Sequence, residues 1–269
     1  MTLIADAGST KTEWFINGRT FFSQGINPIL MSEESVLAEF MKVKDETERP
    51  SHIRFYGAGC TPEKSVIVAR LLRESFPAAD GQVNSDLRAA AHALCGREKG
   101  VACILGTGSN SCLYDGERIV QNTPALGYIL GDEGSGAVLG RLFLNALLKK
   151  RVGESVAEAF SEEYRLTQAD IIERVYRQPM ANRWLASLSV FIARHRDDES
   201  VRSIIAHNFA SFLDNNVHPY HFPHLSFTGS IAYHYADILR EVAAAKGYTV
   251  RAIVKSPMPG LADYYRQCY

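Results

Sequence analysis

No stretch of this chain stays apolar for the roughly 18 residues that a membrane-crossing helix needs, which argues against a membrane span. Charge of one sign is also missing. The 29 Lys and Arg are matched by 30 Asp and Glu, for a formal net charge of −1. No global basic field therefore draws the protein to nucleic acid or to an anionic membrane. Cysteine is scarce and unpaired: Cys60, Cys95, Cys103, Cys112 and Cys268 are odd in number, and none forms C-x-x-C. That leaves zinc or iron–sulfur binding within one chain without support and favours reduced thiols, so a cytoplasmic location is expected. The opening MTLIADAGST has neither a basic n-region nor a long apolar h-region, and a secretory signal is not expected. Low-complexity segments and Gly/Ser linkers are absent. Several nucleotide motifs are missing too. No G-x-x-x-x-G-K-[ST] occurs, which excludes a P-loop NTPase. GTGSNS (106–111) closes on Ser111 where a dinucleotide fingerprint needs glycine, and a strand follows it rather than a helix. Without H-R-D or D-F-G the chain is not a protein kinase.

What is present is a globular composition. The 269 residues are 46% apolar and 22% charged, enough for one large domain or two ordinary ones with a real core. Short β-branched or aromatic runs read as strands: LIAD (3–6), TEWFIN (12–17), IRFYG (53–57), VACIL (101–105), SCLYD (111–115), LSFTG (225–229) and VRAIV (250–254). Helical runs lie between them. One covers 35–44. A second opens at Thr61-Pro62 and stops at Pro77, and a third, DLRAAAHALC, follows Ser85 and stops at Gly96. A long apolar helix starts at Gly136, Thr167 to Asp170 forms a capping box, and two more helices are expected within 183–216. Strands alternating with helices predict an α/β protein.

The opening turn holds Asp6, Ala7, Gly8, Ser9, Thr10 and Lys11 between two strands. Glycine lets the backbone approach an anion closely, and turn N–H groups form an anion-binding concavity. The same residues also suit an ordinary hairpin turn, so both readings stand. The pattern recurs at VACILGTGSNSCLYDG (101–116), where Gly108-Ser109 aligns with Gly8-Ser9. Two such hairpins, each opening one half of the chain, suggest a duplicated fold with two phosphate loops.

Four segments, DAGSTKT (6–12), LGTGSNS (105–111), GYILGDEGSG (127–136) and FTGSIA (227–232), together resemble the N-acetylglucosamine kinase family of the sugar-kinase, actin and heat-shock-chaperone superfamily. Their order and spacing fit that family over nearly the whole chain. The resemblance implies a duplicated actin-like, ribonuclease H-like ATPase fold of two domains around a cleft that closes on the sugar. The first domain would cover 1–100, possibly rejoined by the C-terminal helix 258–269, and the second 101–257. SPMPGL (256–261) is similar to the family's late Pro/Gly turn before that helix.

The resemblance also implies a reaction: ATP and Mg²⁺ are cofactors, and an amino sugar, first N-acetylglucosamine and then glucosamine, becomes its 6-phosphate. Asp6 would hold Mg²⁺ through water. Gly8, Ser9, Thr10 and Lys11 would meet the phosphates from one loop, and Gly106, Thr107, Gly108 and Ser109 from the other. Gly229 and Ser230 would lie under the adenosine. Asp86 would be the catalytic base, and Asn27, Asp86, Asn110, Gly127 and Asp132 would bind the sugar. A homodimer is the family-like expectation; no nucleic acid or membrane partner is expected.

Plainer roles stand beside these. Asp86 follows Ser85 at a helix start and suits a cap. Asp6 suits an Asx turn, and Lys11 suits a solvent-facing hairpin edge. Glu133 complements a helix N-terminus. His218, His221 and His224 lie in a Pro-containing loop whose spacing is not a usual zinc pattern. The family's human-type members carry Gly-Trp-Gly before LGDEG, where this chain has Ala125-Leu126-Gly127 and is also short, so its sugar pocket is expected to differ. Two other classes remain open. One is an ATPase activator of 2-hydroxyacyl-CoA dehydratases, whose cysteines share an iron–sulfur cluster between subunits. The other is a non-catalytic nucleotide or sugar sensor.

Overall fold

The computed structural model describes residues 1–8, 11–47 and 49–266. The chain divides into two units, Met1–Arg97 with Pro257–Tyr269, and Glu98–Ser256. In the first unit it runs through β1 (Thr2–Ala7), β2 (Lys11–Ile16), β3 (Arg19–Gln24), α1 (Glu33–Glu46), β4 (His52–Gly57), α2 (Pro62–Ser75), β5 (Asp80–Ser85) and α3 (Asp86–Cys95). The five-stranded sheet has the order β3-β2-β1-β4-β5. β1 is antiparallel to β2 and parallel to β4, and β4 is parallel to β5.

Alternation sorts the side chains of β1 by face. Leu3, Ala5 and Ala7 enter a core with Trp14, Phe40 and Phe55, whose rings meet edge-on at 5.6 Å for Phe40 and Phe55. Ile4 points to the other face and packs with Tyr56 and Ala89.

The strand expected over 12–17 ends earlier, at Ile16. Asn17 and Gly18 both have positive φ, 50° and 79°, and turn the chain into β3. Asn-Gly is a strong two-residue hairpin signal that the strand reading absorbed. β5 was missing from the expected strands as well. Its sequence, DGQVNS, holds a single β-branched residue, and pairing with β4 makes it a strand.

The second unit contains β6 (Gly100–Leu105), β7 (Ser109–Tyr114), β8 (Ile119–Thr123), α4 (Gly127–Leu130), α5 (Gly136–Leu148), α6 (Glu154–Tyr164), α7 (Gln168–Tyr176), α8 (Ala181–Ser187), α9 (Ser189–Arg194) and α10 (Glu199–Phe212). A π-helical turn (Leu213–Val217) and a 3₁₀ turn (His218–Tyr220) lead to β9 (His224–Thr228), α11 (Ser230–His234), α12 (Ala236–Ala245) and β10 (Thr249–Val254). Its sheet order is β10-β9-β6-β7-β8. Position for position this repeats the first sheet: an antiparallel hairpin extended by a third strand, then two parallel strands. The α/β class and the duplication expected from the two hairpins are thus present. The capping box is formed, with Asp170 accepting the Thr167 N–H at 2.8 Å and Thr167 accepting the Asp170 N–H at 3.2 Å. The final helix, α13 (Met258–Arg266), packs in the first unit, where Met258 and Leu261 join Ile4, Tyr56 and Ala89.

Candidate functional site

The first unit gathers acids at one end of its sheet. Asp6 stands opposite Glu13 on β2 and beside Tyr56 on β4, on the face that Ile4 shares with α3. Asp86 is the first residue of α3, just beyond the end of β5. Ser85 supplies the cap of that helix, its Oγ accepting the Arg88 N–H at 3.3 Å. The Asp86 carboxylate accepts the Leu87 N–H at 2.8 Å. The capping role open to Asp86 in the sequence therefore belongs to its neighbour.

Desolvation is the main reason that both carboxyls titrate high. It lifts Asp6 to about 7, with Asp86 and Glu13 raising it further and Lys11 opposing. It lifts Asp86 to about 6, against backbone N–H donation from Leu87 and from Asp86 itself. Glu13 was not singled out in the sequence. Its signal was the hairpin register, which sets two carboxylates directly across from each other.

Around these acids, the Gly8 N–H donates to the Lys11 carbonyl at 3.0 Å and closes the turn. Ser9 and Thr10 lie outside the described residues. The Lys11 ammonium sits 4.6 Å over the ring of Phe22 on β3. Asn27 is buried. Its Oδ1 accepts the Ile29 N–H at 3.0 Å, and its carbonyl accepts those of Leu30 and Met31.

The second unit builds its loop between β6 and β7. The Gly106 N–H donates to the Gly108 carbonyl at 3.0 Å. The carbonyls of Gly106 and Thr107 accept the first N–H groups of α5, from Gly136 at 2.8 Å and Ala137 at 3.1 Å. Asp132, in the left-handed region at φ 56°, reaches back to this loop. Its carboxylate accepts the Ser109 and Gly127 N–H groups and lies against Gly108. Desolvation raises its pKa, the Ser109 N–H lowers it, Glu133 adds to the rise and the Gly127 N–H again opposes. Asn110 is engaged within the hairpin: its Oδ1 accepts the Ser111 N–H at 2.9 Å and the Asn122 amide at 3.0 Å.

Gly229 ends β9 at φ +114°, where a Cβ would stand 2.3 Å from the Leu105 carbonyl oxygen. Only glycine combines that conformation with so close an approach to the strand feeding the loop. Ser230 begins α11. Gly106, Thr107, Gly108, Ser109, Asp132 and Gly229 are thus gathered at the carboxyl ends of β6 and β9. In open α/β sheets such ends are the usual ligand sites.

Three asparagines that sequence reasoning passed over organise the GDEGS turn. Buried Asn208 accepts the Gly134 N–H at 2.9 Å and donates to the Ser135 carbonyl at 3.2 Å. Asn215 and Asn216 donate to Glu133 at 3.1 and 3.3 Å. The Asn216 carbonyl in turn accepts the hydroxyls of Ser111 and Thr123. A polar residue inside the apolar run of α10 was the available signal, because a buried amide must find partners. The π-helical turn supplies two of the three, in line with the frequent use of such turns at functional sites.

Elsewhere, His218 and His221 face each other at 5.6 Å, and the ring of His224 meets Phe222. Among the described residues no group of three or more His, Cys, Asp or Glu is arranged to hold a metal ion. Cys103 and Cys112 are fully buried, and their registers place them on opposite faces of the sheet. Burial pushes the Cys60 thiol up to about 12, with Asp86 adding to the rise. No helix among the described residues is long and apolar enough to cross a membrane.

No protein-family model matches the chain, and the comparison with curated proteins finds no match. Solved structures do match. A candidate N-acetylglucosamine kinase from Porphyromonas gingivalis is 46% identical over 99% of both chains, with a TM-score of 0.92. Another candidate of that name, from Chromobacterium violaceum, is 17% identical over 98% of both chains, with a TM-score of 0.71. A ROK family glucokinase from Streptomyces griseus, solved with glucose and AMPPNP, is 15% identical over 99% of both chains, with a TM-score of 0.60. At such low identity the last two speak for fold alone, the duplicated α/β fold of the actin-like sugar kinases.

Proposed function

Because the chain belongs to the N-acetylglucosamine kinase family of actin-like sugar kinases, we propose that it transfers the γ-phosphoryl group of ATP to N-acetylglucosamine and releases the 6-phosphate. The observation that carries this reading is the 46% identity over 99% of both chains. The local chemistry supports it. Phosphoryl transfer needs alignment, charge neutralisation and an acceptor for the hydroxyl proton. Asp86 suits the acceptor: with a pKa near 6 it is ionised at neutral pH yet more basic than an ordinary carboxylate.

Asp6 suits Mg²⁺. It is a hard oxygen donor at a strand end, desolvated and crowded by Asp86 and Glu13, and a cation there would pull its pKa back down. Bound Mg²⁺ would neutralise charge on the transferring phosphoryl group. Gly8, Ser9, Thr10 and Lys11, and separately Gly106, Thr107, Gly108 and Ser109, are the proposed phosphate contacts. Gly229 and Ser230 are those of the adenosine. Asn27, Asn110, Gly127 and Asp132 are the proposed sugar contacts. A carboxylate has about four lone-pair sites, so Asp132 can hold its two backbone N–H groups and still accept a hydroxyl. A cytoplasmic homodimer completes the proposal, and sedimentation checks the dimer.

The test is coupled ADP release with Mg-ATP against N-acetylglucosamine, glucosamine, N-acetylmannosamine, glucose and no sugar. N-acetylglucosamine should give the highest kcat/KM, and Asp86→Asn should lower kcat by about 10²- to 10⁴-fold, the range of general-base catalysis. ADP release indifferent to every sugar would sink the proposal.

A further inference from the structure

Six residues along α3 from Asp86, about 9 Å at the helical rise, lies a buried hydrogen-bonded group that the proposed reaction does not use. His92 is 5% exposed and Tyr56 0%. Arg88 Nε lies 3.3 Å from His92 Nε2. Arginine only donates, so Nε2 accepts and Nδ1 carries the ring hydrogen. Nδ1 is 2.7 Å from the Tyr56 hydroxyl, which is 2.5 Å from that of Tyr265. The chain of donors thus runs from Arg88 through His92 and Tyr56 to Tyr265, linking α3, β4 and α13.

Rings reinforce it. His92 stacks on Tyr264 at 4.3 Å, and Tyr56 meets His92 edge-on at 5.8 Å. Gly260 brings α13 so close to α3 that a Cβ would stand 2.3 Å from the Ala93 carbonyl oxygen. Burial, then Arg88 and Arg97, hold His92 down to about 4, so it stays neutral through the physiological range. Tyr56 lies directly across from Asp6 in the parallel register.

The buried stretch of α3 that carries Asp86 includes Ala89, Ala90 and Ala91. Alanine side chains carry no hydrogen-bonding group with which to fix rotation or axial position. Directional hydrogen bonds define both. We propose that His92, Tyr56 and Tyr265 are positioning residues for Asp86, fixing the register of α3 against β4 and α13 and so the place of the carboxylate that takes the hydroxyl proton. This rests on the base role of Asp86 proposed above. A misplacement of about 1 Å at a reacting group costs on the order of a hundredfold in rate.

The test compares the full-length wild type with His92→Leu, His92→Asn and Tyr265→Phe, each also in an Asp86→Asn background. Asparagine keeps a donor at the place of Nδ1; leucine keeps none. His92→Leu and Tyr265→Phe should lower kcat by about ten- to a hundredfold with KM for ATP unchanged, and His92→Asn should recover most of the loss. In the Asp86→Asn background His92→Leu should cost almost nothing more, because its effect passes through that carboxylate.

Hydrogen exchange gives a readout independent of turnover. The amides of the first turn of α3 should lose protection in His92→Leu and regain it in His92→Asn. Equal losses in the two backgrounds, equal losses in the leucine and asparagine variants, or unchanged exchange would each overturn the proposal while leaving the base assignment intact. Wild-type speed in Asp86→Asn alone would overturn the base assignment, and this proposal with it.

Discussion

Asp6 shows how a single side chain acquires properties that its sequence context lacks. Burial strips its carboxyl of water, the start of α3 brings Asp86 near and strand pairing places Glu13 across from it, so it holds a proton up to about pH 7. The unfolded chain releases that proton near the ordinary aspartate value of 3.8. Between those two values the folded state binds more protons than the unfolded one, and stability falls as pH rises through the window. Asp6→Asn removes this dependence. In thermal unfolding without Mg²⁺ or nucleotide, the variant should melt a few degrees above wild type at pH 8, with the difference vanishing near pH 4. No gain at pH 8 would mean that the ionised carboxylate is already compensated. Asp86 sets a second dependence: kcat should fall as pH drops through about 6, where the carboxylate becomes protonated and cannot accept a proton.

At the level of elements, the second loop is held by its neighbours more than by its own turn chemistry. Gly106 and Thr107 cap the start of α5, and Asp132 ties down Ser109. Asp132→Ala removes that tie and should raise KM for ATP by about tenfold, the equivalent of one hydrogen bond to a charged group. Asp132→Asn keeps an accepting oxygen and should raise the sugar KM more than the ATP KM. If Asp132→Ala leaves the ATP KM unchanged, the loop keeps its shape without the clamp.

The elements that the sequence revealed share one physical property: their signals are local. Ser85 and Gly96 bound α3, Thr61-Pro62 opens α2, and Thr167 with Asp170 opens α7. The strands it missed, β3, β5 and β8, all lie at sheet edges. Edge strands bury little, carry polar residues, and are strands chiefly because a neighbour offers its backbone.

For the whole molecule, two sheets of identical strand order account for the two glycine turns 100 positions apart in register, Gly8 and Gly108. The first unit is not continuous in sequence, since α13 covers the Ile4 and Tyr56 face of its sheet. Leu261 on that helix is fully buried. Leu261→Ala should therefore cost about 2–5 kcal/mol, the range for buried leucine truncation, read from the urea midpoint. A loss below that range would mean that the site collapses around the smaller residue.

The sequence by itself determined the α/β class, the duplication, the caps that open α2, α3 and α7, and the family resemblance. All of these are written in hydrophobic period, turn chemistry and motif spacing, which are properties of neighbours along the chain. Tertiary structure alone decided that Asp6, Glu13 and Asp86 share one end of a sheet, that Asp132 grips the second loop, and that His92, Tyr56 and Tyr265 join three elements. Desolvation, carboxylate crowding and long-range hydrogen bonds depend on distances between residues far apart in sequence, and only the pairing of strands and the docking of helices set those distances.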